Sequence, residues 1–209
     1  PVPPSIRAAL EGALILVNCS ASDETIGKDR YREGLISGQS ARLIAGYVYA
    51  NAGEGESTTD VVFGGHNLIA ENGTILKSSG RFVNETIYSE IDIRRLLSER
   101  RKNTTFRSAL HKTLPAVFFS AKEEKTVLTR EFSPTPFVPQ NERERADRCE
   151  EILMIQAMGL KKRLLHTKTT SAVVGISGGL DSTLALLVTA KAFDMAGIPR
   201  ANIHAVTMP

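Results

Sequence analysis

The chain has 209 residues, 42% hydrophobic and 23% charged, the balance of one large or two small globular domains, which excludes a disordered or fibrous protein. Twenty-six Lys and Arg against 23 Asp and Glu leave a formal charge of +3, too small and too evenly spread to point to nucleic acid. No apolar run reaches the ~18 residues of a membrane span, and Pro1-Val-Pro-Pro4 lacks the basic start of a signal segment, so a soluble, cytoplasmic protein is expected.

The first predicted element is a buried strand at Ala13-Leu-Ile-Leu-Val17, preceded by an alanine-rich stretch and followed by the loop Cys19 to Asp23. Leu35, Ile36, Leu43 and Ile44 recur at helical spacing between about Asp29 and Ile44, and Gly46-Tyr-Val-Tyr-Ala50 returns to strand chemistry, completing one β-α-β unit. Asn67-Leu-Ile-Ala70 and Thr74-Ile-Leu76 flank Asn72-Gly73, the strongest two-residue hairpin signal, and a further strand is expected over about Glu85 to Ile91. Asp92 to Lys102 reads as a short exposed helix with a solvated basic face. Ser133-Pro-Thr-Pro-Phe-Val-Pro139 can continue neither a helix nor a central strand and marks a linker. Beyond it, Glu142 to His166 carries Cys149, Ile152, Leu153, Leu160 and Leu164 on one helical face, which makes Cys149 a core residue of an amphipathic helix. Neither cysteine has a partner at disulfide or metal-ligand spacing, and the four histidines form no ligand pair.

Chemistry concentrates in the stretch from Ser171 to Val188: a short buried strand, a Gly-rich turn, then a helix from Thr183 onward with Leu184, Leu187 and Val188 on one face. The first N–H groups of a helix lack intrahelical partners and point into such a turn, and Gly178 and Gly179 let the backbone approach a phosphate. Ser177 and Ser182 add hydroxyl donors. No Gly-Lys-[Ser/Thr] follows, so this is not a Walker loop. An acid, Asp181, stands inside the loop, where a bridging Mg²⁺ would reconcile it with phosphate. The other reading is a plain strand-to-helix turn with Asp181 and Ser182 as helix caps.

Ser177-Gly-Gly-Leu-Asp-Ser182 resembles the pyrophosphate loop of N-type ATP pyrophosphatases, which adenylate an oxygen and expel pyrophosphate. GMP, asparagine and argininosuccinate synthetases and tRNA-thiolating enzymes share that loop, so the flanks decide. Pro136-Phe-Val-Pro139, Arg148-Cys-Glu-Glu-Ile-Leu153, Ile155-Gln-Ala-Met-Gly-Leu160 and Val174-Gly-Ile-Ser-Gly-Gly-Leu-Asp-Ser-Thr183 together resemble the glutamine-dependent NAD⁺ synthetase family. Leu16-Val-Asn-Cys-Ser-Ala-Ser22, Tyr47-Val-Tyr-Ala-Asn-Ala-Gly-Glu-Gly-Glu-Ser-Thr-Thr-Asp60 and Gly65-His-Asn-Leu-Ile-Ala-Glu-Asn-Gly73 resemble the later part of its nitrilase-like glutaminase domain.

The resemblance implies an α/β architecture: the C-terminal part of a nitrilase-like α-β-β-α sandwich over 1–106, a linker over 107–141, and over 142–209 the first β-α-β of a doubly wound parallel-sheet ATP pyrophosphatase domain. It implies a carbon-nitrogen ligase that amidates deamido-NAD⁺ to NAD⁺ through an adenylate, with glutamine as nitrogen donor, in a homo-oligomer. Carried over by position, Gly175, Ile176, Ser177, Gly178, Gly179, Leu180, Asp181 and Ser182 bind ATP, Asp181 holds Mg²⁺, and Ser22 and Lys28 contact glutamine. Lys28 stands where the family pattern has Arg, so a bidentate carboxylate contact becomes a single ammonium contact. Glu54 and Glu56 order the loop around Ser57-Thr-Thr-Asp60 rather than serve as bases, and Cys19 is structural, since the family's Cys is followed directly by an acid. The Glu-Lys-Cys triad is expected upstream of Pro1, and only 27 residues follow Ser182, so the chain is expected to be an internal piece, inactive alone, with most of the deamido-NAD⁺ site downstream. The alternatives are another pyrophosphate-loop amidotransferase and a non-catalytic ATP-binding module.

Overall fold

The computed structural model describes residues 2–56, 59–106 and 114–207, which form two compact units, 1–131 and 132–209. Ser57 and Thr58 of the loop before Asp60, and the start of the expected linker at 107–113, lie outside the described residues. Among the described residues no helix is long and apolar enough to cross a membrane.

The first unit is built on a four-stranded sheet in the order β1-β2-β3-β4, with β1 (Ile15–Ser20) parallel to β2 (Gly46–Asn51) and the rest antiparallel. A short helix, α1 (Pro4–Leu10), precedes β1, and α2 (Lys28–Leu43) makes the crossover to β2. Arg32, Ile36, Ser40 and Leu43 form the buried stripe of α2, close to the i, i+4 spacing of one helical face. Ile36 and Leu43 pack with Leu16, Tyr47, Tyr49, Leu68 and Ala70 of the sheet into the unit's core. The hairpin of β3 (Leu68–Glu71) and β4 (Thr74–Ser78) turns on Asn72 and Gly73, both at positive φ, as a two-residue primed turn requires.

Three expectations for this unit fail. The first strand is not wholly buried: Leu16 faces the core, but Val17 is 70% exposed, because only one face of β1 meets the helices among the described residues. Residues 85–91 form no strand. Side chains take up some of their backbone instead, the Glu85 carbonyl accepting from Asn67 Nδ2 and the Glu90 carbonyl from Arg130 Nη1 at 3.5 Å, and just beyond them the Asp92 N–H donates to Glu71 Oε2 at 2.7 Å. Helix α3 (Ile93–Lys102) follows, capped by Asp92, whose carboxylate accepts from the Arg95 N–H at 2.9 Å.

The basic face of α3 is not uniformly solvated. Arg100 turns inward, and its guanidinium donates to the carbonyls of Ala13 at 2.7 Å, Leu43 at 3.0 Å and Ile44 at 3.0 Å. The last two are terminal carbonyls of α2, which have no intrahelical donors of their own. The Phe106 ring covers the cation at 4.7 Å, and burial pulls the Arg100 pKa below the ordinary arginine value.

In the second unit α4 (Glu142–Thr167) packs against α5 (Leu180–Ala196), and α5 connects β5 (Ala172–Gly175) to the parallel β6 (Ile203–Val206) after the 3-10 turn Arg200–Asn202. Asn141 caps α4 by accepting from the N–H groups of Arg143 and Glu144, and Gly197 closes α5 in the left-handed region. The core is small: Ala157, Leu164, Ala192 and Phe193. Cys149 is exposed rather than in this core. The 26 residues of α4 outrun the 17 of α5 by about 13 Å at 1.5 Å per residue, so the early turns of α4 extend past their cover. Strand β5 is half-exposed rather than fully buried, for among the described residues it pairs with β6 alone.

Candidate functional site

The Gly-rich turn sits at the C-terminal end of β5, where ligands bind in α/β folds. Ile176 still belongs to the sheet, its N–H donating to the Val206 carbonyl at 2.8 Å. Gly178 takes φ +83°, a conformation L side chains rarely adopt, and a Cβ on Gly178 or Gly175 would meet nothing within 4 Å, so open space lies around the turn. Gly179 is the N-cap of α5 and offers no side chain to cap it, leaving the first N–H groups of a 17-residue helix facing the turn.

The helix begins at Leu180, three residues before the expected Thr183, which changes the setting of the acid. Asp181 lies in the first turn of α5, where the helix dipole favours a carboxylate, so the sequence argument that a cation must offset loop repulsion loses its premise. Asp181 is exposed and does not cap the helix through its side chain. The two serines are turned inward on each other. The Ser177 N–H donates to Ser182 Oγ at 3.3 Å, and Ser182 Oγ donates to the Gly179 carbonyl at 3.0 Å. Those hydroxyls hold the shape of the turn, and each would have to rotate to meet a ligand. Leu180 points away into solvent and contributes its backbone alone.

The first unit holds a cavity of about 650 Å³ between α1, α2 and β1, with Leu16, Ile36, Tyr47 and Tyr49 on its walls and Ser22 and Lys28 among its polar groups. The structure therefore brings the two proposed glutamine contacts to one cavity. The loop bearing Ser22 is tied to the end of β2 by a reciprocal amide pair: the Ser22 N–H donates to Asn51 Oδ1 at 2.9 Å and Asn51 Nδ2 donates to the Ser22 carbonyl at 3.1 Å. Asn67 Oδ1 in turn accepts from the Asn51 N–H at 2.9 Å. Lys28 Nζ donates to Asp23 Oδ1 at 2.6 Å, a bond that holds the Asp23 carboxyl below the usual carboxylate range.

Beside this loop lies a buried charge cluster that the sequence reading missed. Arg32, 3% exposed, pairs with Glu24 at 2.7 Å, donates to His66 Nδ1 at 3.0 Å and reaches Ser22 Oγ at 3.4 Å. Because the guanidinium donates to Nδ1, the proton of the neutral imidazole stands on Nε2 and is given to Ser78 Oγ at 2.9 Å. Burial first, and the Arg32 charge second, push the His66 pKa down. The signal was present: Arg32 lies four residues before Ile36 on the buried stripe of α2, where a charge demands partners. Glu54, set aside as a base, accepts from Asn84 Nδ2 at 3.4 Å on the surface. Cys19 is an exposed thiol on β1.

A mixed-sheet unit and a β-α-β unit with an open Gly-rich turn make this an α/β chain, and the family model for NAD synthase matches residues 152–209. Along its whole length the chain is homologous to the glutamine-dependent NAD(+) synthetases, ligases that include those of Mycobacterium leprae, 42% identical, and Mycobacterium tuberculosis, 41% identical. Both alignments cover 100% of this chain and 32% of the relative, so the chain spans about a third of the length of the curated relatives it matches. A solved glutamine-dependent NAD(+) synthetase from Cytophaga hutchinsonii is 22% identical, with a TM-score of 0.37, covering 90% of this chain and 24% of that one.

Proposed function

We propose that the polypeptide carrying this sequence amidates deamido-NAD⁺ to NAD⁺ in the cytoplasm, consuming ATP, with nitrogen released from glutamine. The observation that carries the reading is the open turn Gly175–Ser182 at the end of β5, within the segment matched by the NAD synthase family model. In this reading 1–106 is the later part of a nitrilase-like glutaminase domain, 107–141 the linker, and 142–209 the start of a doubly wound ATP pyrophosphatase domain.

The turn grips the β,γ end of ATP through the N–H groups at the start of α5, which leaves the α-phosphorus open to an attacking carboxylate. Mg²⁺ fits the donors present, one exposed carboxylate at Asp181 beside an anion site, because this ion is commonly held by one or two carboxylates plus substrate phosphates. When bound it offsets charge on the departing pyrophosphate. Among the described residues no group of three or more His, Cys, Asp and Glu could hold a metal by itself, so the phosphates supply the remaining ligands. Ser22 and Lys28 orient glutamine in the first-unit cavity, Lys28 through a single ammonium contact to its α-carboxylate. A homo-oligomer follows from the family resemblance alone.

The test uses the natural polypeptide that carries this sequence, supplied with ATP, Mg²⁺, deamido-NAD⁺ and either glutamine or ammonium, with NAD⁺ and pyrophosphate measured. Product with both nitrogen sources supports the reading; product with ammonium alone refutes the glutaminase half. No NAD⁺ from a folded protein that still binds ATP refutes the assignment in favour of another pyrophosphate-loop ligase. Mg·ATP binding that survives Asp181→Ala points instead to a non-catalytic module.

A further inference from the structure

Lys28 lines the cavity, and its ammonium stands 2.6 Å from the carboxylate of Asp23, the more exposed of the two side chains. The loop that carries Asp23 is held on both sides: Ser22 by Asn51, and Glu24 through its N–H to the Val62 carbonyl at 2.7 Å. Asp23 itself forms an isolated antiparallel bridge with Phe63. A lysine stem is flexible and its head is a point charge, so a fixed carboxylate beside it decides where that head stands. One of the three ammonium N–H groups goes to Asp23, which leaves two for an arriving carboxylate. The pair therefore presents a positive and a negative group side by side, Lys28 on the cavity wall and Asp23 next to it, between the lining residue Ser22 and Glu24 in the chain.

We propose that Asp23 is a specificity-determining residue of this cavity: with Lys28 it matches the adjacent α-ammonium and α-carboxylate of a free amino acid, and so discriminates against acids of the same length that lack the amine. The inference rests on the reading of Lys28 as the carboxylate contact for glutamine. An amino acid that seats its carboxylate on Lys28 brings its own ammonium toward Asp23 and neutralises it. A plain acid brings only a second negative charge beside Asp23, and the repulsion weakens its binding.

Ammonia release from L-glutamine and from glutaramate, the same amide without the α-amine, tests this in the natural polypeptide, compared across Asp23→Asn, Asp23→Glu and Lys28→Ala. Both substrates are measured on one preparation, so any loss of folded enzyme scales both rates and cancels in their ratio. Asp23→Asn narrows the kcat/KM preference for glutamine over glutaramate about fivefold, acting through KM, the size of effect an exposed charge pair supports. Asp23→Glu, which keeps the charge, retains most of the preference. If Lys28→Ala raises the KM for glutamine while Asp23→Asn leaves the preference unmoved, the role given to Asp23 is wrong and the glutamine site stands. If Lys28→Ala leaves the KM for glutamine unchanged, or the polypeptide releases no ammonia from glutamine, the glutamine reading of the cavity falls and takes this inference with it.

Discussion

Replacing Arg100 with Met keeps the aliphatic stem and deletes the guanidinium, so three carbonyls, those of Ala13, Leu43 and Ile44, lose a charged donor at once. Hydrogen bonds to charged groups contribute about 1.5–3 kcal/mol each, and the low end applies here because the side chain is only partly buried and water can reach some of the carbonyls. Allowing for that partial repair, and adding roughly 0.5 kcal/mol for the cation over Phe106, the loss comes to about 3–5 kcal/mol. At a urea slope near 2 kcal/mol per molar, the unfolding midpoint of the first unit falls by about 1.5–2.5 M. Arg100→Lys recovers only part of this, since one ammonium cannot repeat a planar fork aimed at separate carbonyls. The neighbouring Arg101 is exposed on the same helix, and Arg101→Met is expected within about 0.5 kcal/mol of the parent. Equal urea midpoints for the two variants would refute the staple and restore the solvated basic face that the sequence suggested.

Glu71, 2% exposed at its side chain, is held by Arg130 at 2.9 and 3.0 Å and by the Asp92 N–H, and the carboxylate keeps the Arg130 pKa raised. Arg130→Met is expected to cost about 3 kcal/mol in urea unfolding, while the double change with Glu71→Leu recovers much of it, because a buried carboxylate left with only Arg95 at 3.9 Å as cation costs more than the pair gains. His66, whose pKa is depressed when folded, lets the unfolded chain take up its proton first as pH falls through about 6.5, so the stability it confers is present above that pH and lost below it. A His66→Gln variant should show a flatter stability profile just below the ordinary histidine value of 6.5; an unchanged slope there would exclude the imidazole as its source. Cys19 and Cys149 should both react with a thiol reagent in the native chain, and one equivalent instead of two would contradict the exposure of one of them.

Strong local signals were legible in the sequence. Asn72-Gly73 gave the hairpin because two successive positive φ values leave few other choices, and the stripe through Ile36 and Leu43 gave α2 because its buried face is continuous. The failures share a cause, which is that apolar character does not say what will cover a residue. Val17 and Cys149 carry the composition of a core but stand where no helix reaches them among the described residues. Residues 85–91 carry strand composition, yet Asn67 and Arg130, distant in sequence, engage the backbone there. Local composition located the Gly-rich turn but not the register of its helix, so Asp181 was placed in a loop rather than in the first turn of α5. Arg100 shows the same limit: the charge pattern of α3 marks it as solvated, and only the folded carbonyls around it reveal otherwise.

The reciprocal amide pair between Ser22 and Asn51 makes the loop an extra rung of the sheet. Its backbone is released only when the Asn51 side-chain amide lets go of both groups at once, so the Ser22 amide should exchange with deuterium more slowly than an unbonded loop amide. A side chain that binds from such a rung has already given up its segmental freedom before any ligand arrives, and the entropy of ordering the loop is charged to folding rather than to each encounter.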